Sequence, residues 1–564
     1  MGDDGNNNIH MRDINALADS INATYPGFLI KKIMWDAYTR QTASNGYSYP
    51  EAQKAIKQLQ AQGALIMDYA GHGRADQVSH ENVLRLNDFE GFTNKNLPLW
   101  VTASCDIAPF DGSVNTIGEA AVTNSKGGAV AFFGTTRTVF TTQNRYINSS
   151  FIHHVLAFNG DKPYTLGDAV RLAKNEVITE ELDRGVNLLQ FQLLGDPALA
   201  LKRPTYHIVI DSINGVATKA NTQQLPTLKA GSVARIAGHI ENAPSFNGII
   251  SVTVRDNLET IVCKMNDKTE TEEPFVYKDR TKTLFAGSDS VRNGRFTFTC
   301  AVPKDINYAN ETGLITAYAV NDDHTMRANG ESDRFLIGGT AALVNDSIGP
   351  SIYCYLNSPS FTNGGNVNTT PYFVAEVTDQ NGINTSGNGI GHDLELIIDG
   401  RMERTYVLND NFEFDFGSYT TGSTYYNIPE LEPGQHKLVF RAWDILNNSS
   451  TAELTFNVVR GLRPSLFSVS CTQNPAREST TFIINHDRTG STMDVELDVF
   501  DPSGRLLWQH NESGVSTSNA YTLDWNLTVD GGQRLQTGVY LYRVRIATDG
   551  SAQASKAQKL VVIQ

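Results

Sequence analysis

Two side chains able to do chemistry together stand 33 residues apart, each directly after an apolar run. Ala64-Leu65-Ile66-Met67 leads into Tyr69-Ala70-Gly71-His72-Gly73, and Leu97-Pro98-Leu99-Trp100-Val101-Thr102-Ala103 delivers Ser104-Cys105. An imidazole beside a thiol accepts its proton and, once protonated, stabilises the thiolate. The glycines around His72 allow a sharp turn and a close backbone approach to a substrate. The main-chain N–H groups of Gly73 and Cys105 are the candidate oxyanion hole for an attacked carbonyl. Two plainer readings stand beside this one: Cys105 as a small buried apolar residue, and His72 as a turn residue.

The elements that must position the pair are the two apolar runs, read as neighbouring strands of an α/β sheet. Ligands in such sheets bind outside the carboxyl ends of the strands, where both reactive side chains would emerge. A helix over Pro50–Gln62, with Ala55, Ile56 and Leu59 on one face, a buried strand at Gly128–Gly134 and a helix over Gly167–Glu181 complete the layer pattern. Asp111–Thr116 and Thr135–Arg145 are expected to flank the crevice. Glu119 is read as a cap at a helix start, and Gly195-Asp196-Pro197 as a turn closing the domain.

The segments YAGHG, VTASC, IGEAAVTNSKGGAVAFFGTTR (117–137) and FQLLGDPALAL (191–201) resemble the gingipain-type cysteine peptidases of the caspase-like clan, over roughly Asp3 to Leu201. The resemblance implies that His72 is the general base and Cys105 the nucleophile. It also places the acidic partner of the histidine just upstream of this chain; Asp36 and Asp68 are the nearest carboxylates and are read as solvated or capping residues. Arginine-specific members carry an Asp near position 8. Asn8, the candidate substrate-binding residue, cannot pair ionically with a guanidinium, which argues against strict arginine specificity.

The opening residues Met1–Asn8 read as a polar loop, followed by a helix near Ile9–Tyr25, with Ile14, Leu17, Ala18 and Ile21 at helical spacing, and a short strand at Leu29–Trp35. A caspase-like sheet needs an earlier strand, so the chain is expected to start inside its catalytic domain. At 564 residues it exceeds a single core. A net charge of −15 argues against a nucleic-acid partner, and no apolar run reaches the roughly 18 residues of a spanning helix. The five cysteines are too scattered for a disulfide framework, with Cys263 and Cys300 the one pair considered. Neither a cofactor nor a metal site is expected.

After Lys202-Arg203-Pro204 the pattern changes to short alternating apolar runs at His207–Asp211, Val233–Ile240, Ile249–Arg255, Gly294–Val302 and Gly313–Val320, separated by Gly, Asn and Asp turns, which predict a β-sandwich. Lys264–Arg280 is a polar excursion read as a mobile loop. A second β-module covers about 345–460; its His392 and Asp393, in a Gly/Asn-rich bend after Gly387, are read as fixing a turn. The last stretch, 461–564, contains Asn474-Pro475, strands Met493–Phe500 and Val539–Ile546, and an Asp501–Arg505 turn. The expected organisation is therefore multidomain. It comprises a truncated caspase/gingipain-like α/β domain (1–203), immunoglobulin-like β-sandwich modules (204–344 and 345–460) and a C-terminal β-sandwich of sorting type (461–564).

GINTSGNGIGHDLEL (382–396) and LEPGQHKLVFRAWDILNNSS (431–450) resemble the sortase-like C-terminal signal peptidases of the type IX secretion system, and Asn474-Pro475, the Asp501–Arg505 turn, Trp525 and GVYLYR (538–543) together resemble a type IX C-terminal sorting domain. That resemblance implies a cell-surface enzyme on the outer membrane of a Gram-negative bacterium. Its implied partners are cargo proteins bearing type IX C-terminal domains, an outer-membrane β-barrel shuttle protein and anionic lipopolysaccharide as acceptor. Two alternatives stay open: a non-catalytic scaffold that presents cargo, and a secreted gingipain-like protease that is itself cargo.

Overall fold

The computed structural model describes residues 1–564 except 44–45, 220–223, 270, 343–345, 388–390 and 564. The catalytic layer is built in chain order from α1 (Gly5–Thr24), α2 (Pro50–Gln62), β1 (Ile66–Ala70), β2 (Leu99–Ala103), α3 (Ile117–Thr123), β3 (Ala131–Thr135), α4 (Thr141–Val155), α5 (Leu166–Thr179) and β4 (Phe191–Gly195). The sheet order is β4-β3-β2-β1. The pairs β1–β2 and β2–β3 are parallel, and β4 runs antiparallel to β3.

Side-chain alternation divides the core into two layers. Leu99, Val101 and Ala103 of β2 face Met11, Ile14 and Leu17 of α1 and Ile147 and Phe151 of α4. Trp100 faces the other way, with Ile56 of α2 and Ile117 and Ala120 of α3. All five residues of β2 are buried, as a central parallel strand requires.

Two sequence expectations change here. Leu29–Trp35 is not a strand; within it only Met34 forms a bridge, and Trp35–Ala37 is a 3₁₀ turn. Met1–Asp3, read as loop, runs beside β1: Gly2 bridges in parallel to both Ala70 and Met34, and Ala70 N–H donates to Met1 O at 3.0 Å. A short extended segment thus lies between β1 and Met34. Asn6, Asn7 and Asn8 follow at φ of 55°, 54° and 62°, and regular helix begins at Ile9 as its apolar spacing predicts. Asparagine tolerates this left-handed region better than most residues.

The sandwich strands appear as Tyr206–Ile213, Ser232–Ile240, Gly248–Arg255, Arg295–Val302 and Leu314–Asn321, around Ile208, Ile236, Phe298 and Ile315. The expected mobile loop is instead docked. Glu259–Val262 pairs with Val276–Asp279, and the connection between them packs on the catalytic layer. Asp36, 2% exposed, accepts the N–H groups of Met265 and Asn266, both at 2.7 Å, and the Asn266 amide at 2.8 Å. It is an interdomain anchor and not a solvated residue. Cys263 and Tyr277 join the catalytic core, whereas Cys300 lies in the sandwich core. Both thiols are free, so the considered disulfide does not form.

The third module closes around Phe373, Leu396 and Phe440. Within its Gly/Asn-rich bend, where 388–390 lie outside the described residues, His392 Nδ1 meets Asp305 of the preceding sandwich at 2.9 Å, so it ties the bend to the neighbouring module. The fourth packs around Phe482, Leu497, Trp525 and Val544. Its Asp501 Oδ1 accepts the N–H groups of Ser503 and Arg505, closing the expected turn. The 344/345 boundary itself falls among residues not described.

Candidate active site

Parallel pairing sets the register of the two candidate catalytic residues. Ala70 of β1 lies opposite Ala103 of β2, so His72 and Cys105 each emerge two residues beyond a matched pair. The Gly71 N–H donates to Ala103 O at 3.3 Å and carries the pairing past the strand ends. A Cβ on Gly73 would lie 2.9 Å from Ser104 Oγ and 3.2 Å from Cys105 O, so only glycine fits where the two loops touch.

His72 is held through its main chain. Its N–H donates to Asp3 Oδ2 at 2.9 Å, and its carbonyl accepts the Tyr69 hydroxyl at 2.7 Å and Ser79 N–H at 2.9 Å. Tyr69 is fully buried, and its hydroxyl also lies 3.1 Å from Asp3 Oδ2. Asp3, 1% exposed, supports the His72 turn by accepting its main-chain N–H. Asp68 has a different task, accepting the Asn148 amide at 3.1 and 3.2 Å.

The imidazole is flanked by further rings. His80 stacks on His72 at a centroid distance of 4.2 Å and 14°, and His10 approaches edge-on at 5.2 Å. Asn6 Nδ2 lies 3.2 Å from Nε2 of both His72 and His10. Burial pushes His10 down to about 4, with Asp3 opposing and His72 reinforcing, so near neutrality its ring is an uncharged acceptor. Asn6 thus bridges the two rings at their Nε2 atoms, the donor in each contact following from the ring tautomer. Below the turn, burial, followed by Asp3 and Glu81, pushes the Asp4 carboxyl up to about 7, while its bond from Tyr49 opposes the shift.

Cys105 is partly exposed, and its Sγ–H donates to Val139 O at 3.5 Å rather than to His72. Asp106, the next residue, has φ of 46°, a turn held by Asp106 N–H to Arg137 O and by Thr138 Oγ1 to Asp106 Oδ2 at 2.7 Å. The chain therefore bends sharply at the thiol. Among the described contacts, the Cys105 N–H has no main-chain acceptor. In the hairpin after His72, the Ser79 N–H to His72 O bond makes Gly73–Val78 a non-hydrogen-bonded pair, so the Gly73 N–H points away from its partner strand. Both oxyanion candidates are thus free to meet an acceptor. Thr116 caps α3 with Glu119, as the sequence suggests.

Behind Ala70 and Ala103 lies a cavity of about 250 Å³, lined also by His10, Asp13, Asn144 and Arg145. Asn8 lies apart from it: 2% exposed, it donates its amide to Glu273 O at 3.1 Å and anchors the docked sandwich hairpin. Sequence reading missed Asp3, Tyr69, Asn6, His10 and His80; only Tyr69 lay inside a quoted motif.

Residues 1–202 match the model of peptidase family C25. That match supports a cysteine-peptidase domain over these residues, and Cys105 and His72 lie within it. No curated protein sequence matches the chain. Among solved structures, dimeric latent PorU from Porphyromonas gingivalis is 26% identical over 98% of this chain and 50% of its own, with a TM-score of 0.34. The pro- and mature domains of Porphyromonas gingivalis RgpB are 16% identical over 60% and 65%, with a TM-score of 0.30. Chicken CNTN1 FN1–FN3 domains are 10% identical over 64% and 98%, with a TM-score of 0.15. The chain spans half the length of the PorU chain it matches.

Proposed function

We propose that this chain is the catalytic part of a cell-surface cysteine endopeptidase of the type IX secretion system, one that removes the C-terminal sorting domain of cargo proteins. The observation that carries the reading is the shared register of His72 and Cys105 beyond β1 and β2, inside a family C25 domain. Cys105 rotates from Val139 toward the imidazole, gives up its proton to His72 and attacks the scissile carbonyl. The Gly73 and Cys105 N–H groups receive the oxyanion. His72 then returns the proton to the leaving amine, and a thioester on Cys105 results.

Water resolves that thioester as simple cleavage. An amine on anionic lipopolysaccharide resolves it as a new amide, the sortase outcome. The cavity behind Ala70 and Ala103 takes the substrate side chain before the scissile bond. The β-modules, ending in a sorting-type sandwich, dock the enzyme to an outer-membrane β-barrel shuttle.

Replacing Cys105 by Ala in the producing bacterium tests this. Cargo that accumulates with its sorting domain attached supports the enzyme, whereas unchanged processing favours a scaffold. Retention of residues 461–564 on the mature protein supports the sortase reading; their loss favours a secreted protease.

A further inference from the structure

We propose that the docked hairpin of the second module sets the catalytic imidazole, with Asn6 as the positioning residue that carries the contact to the ring. The inference rests on Cys105 and His72 working as a peptidase pair and holds whichever substrate is cleaved. Asp3 and Tyr69 fix the main chain of His72, while the ring itself meets the Gly5–Asn8 turn. A Cβ on Gly5 would lie 2.9 Å from His72 Nε2 and 3.0 Å from its Cδ2, and Asn6 Nδ2 lies 3.2 Å from the same Nε2. The turn is therefore the wall against which the Nε2 edge of the ring rests.

That wall needs support. Asn6, Asn7 and Asn8 are consecutive left-handed residues, and such a run persists only where its surroundings over-determine it. Part of the support comes from the second module. Buried Asn8 donates its amide to Glu273 O at 3.1 Å, and the Glu272 N–H donates to Asn7 Oδ1 at 3.3 Å. From the first domain, Arg12 donates to Asn7 O at 3.3 Å. Two of the three asparagines are thus tied to the hairpin connection, and the third meets the imidazole.

The hairpin is clamped in turn. Lys264 Nζ donates to Thr39 Oγ1 at 2.6 Å, the Lys264 N–H donates to Asp36 O at 2.8 Å, and Arg40 pairs with Asp267 at 2.8 Å, beside the Asp36 carboxylate contacts. One line of contact therefore runs from this clamp to Glu272 and Glu273, through Asn7 and Asn8, to Asn6 and the ring. Seating the hairpin selects one direction of the imidazole, and lifting it releases the turn and lets the ring swing. An imidazole takes a thiol proton only when it faces the thiol, so the second module governs how often Cys105 can give its proton up.

The test uses the full chain and iodoacetamide, with alkylation of Cys105 followed by peptide mass spectrometry. A thiol without an imidazole is almost wholly protonated at about pH 6 and ionised at about pH 10, so the two rates together read the pairing. Asn6→Gly and Asn8→Gly keep the left-handed backbone, which glycine adopts freely, and each removes one side chain. In a shortened chain, residues 263–275 give way to Asn-Gly, closing the Val262–Val276 pair as a two-residue hairpin. Asn6→Gly and the shortened chain should each slow alkylation about tenfold at the lower pH and leave the rate at the upper pH unchanged. Asn8→Gly cuts one of the two ties and should fall between them and the wild type. Asn6→Gly placed in the shortened chain should cost nothing further, because both changes break one line of contact. A shortened chain and an Asn8→Gly variant as fast as the wild type at the lower pH, equal slowing at both pH values, or a second tenfold loss in the combined chain would each overturn the proposal. A wild type no faster than His72→Ala would overturn the peptidase reading, and this inference with it.

Discussion

Asp3 Oδ2 accepts the main-chain N–H of His72 at 2.9 Å, so the carboxylate that steadies the imidazole grips its backbone and not its ring. The ring's direction is set by the turn, and the turn by Asp3, Tyr69 and Ser79. Asp3→Ala should therefore lower kcat about 100-fold with little change in KM. Asp3→Asn keeps an acceptor for the amide and should retain more activity than Asp3→Ala. Steady-state kinetics of the two variants checks the order.

Gly73 lies where a Cβ would meet Ser104 Oγ and Cys105 O. Gly73→Ala should push the two loops apart and misplace one oxyanion donor. The expected loss is about 100-fold in kcat, with the melting temperature within a few degrees of the wild type. An active Gly73→Ala enzyme would remove Gly73 from the oxyanion hole.

Asp36 joins the catalytic layer to the sandwich through three hydrogen bonds to a charged acceptor. Asp36→Ala should cost about 3 kcal/mol of local protection. Amide exchange at Met265 and Asn266 should accelerate, and proteolysis should begin between Lys264 and Phe275. Exchange unchanged from the wild type would show that the apolar contacts of Cys263 and Tyr277 hold the hairpin alone.

His486 is fully buried in the fourth module, with Nε2 2.9 Å from Ser516 Oγ and Nδ1 accepting Arg488 N–H at 2.9 Å. Burial pushes it from 6.5 to about 4, Asp487 opposing and Arg488 reinforcing. Between those values the unfolded chain binds the extra proton, so stability is full above pH 6.5 and falls as pH drops toward 4. The loss reaches roughly 3 kcal/mol at a linkage of about 1.4 kcal/mol per unit. Exchange free energies in Tyr521–Trp525, measured across that range, should decline in the wild type and stay nearly flat in His486→Asn.

Much of this architecture was legible because local pattern and tertiary demand agree. The continuous apolar run of β2, the helical spacing of Pro50–Gln62 and the alternating sandwich strands each admit one burial solution. The docked hairpin was not legible. Its polarity reads as solvent exposure, and only the folded chain brings Met265 and Asn266 to Asp36 across more than 200 residues. Asp3 was hidden for a related reason: an Asp-Asp-Gly start before three asparagines looks like a loop, and its role depends on Met1–Asp3 lying beside β1. Asn8 shows the reverse case, a polar residue whose partner is the sandwich hairpin.

The account turns on whether the Cys105 sulfur leaves Val139 O and acts as a nucleophile under the control of His72. Intact mass spectrometry of the full chain incubated with a peptide aldehyde or acyl donor spanning a cargo junction measures this directly. A single adduct on Cys105, formed by the wild type and abolished or strongly slowed by His72→Ala, is the result predicted. A thiol that stays unmodified, or reacts equally fast without the imidazole, would contradict it.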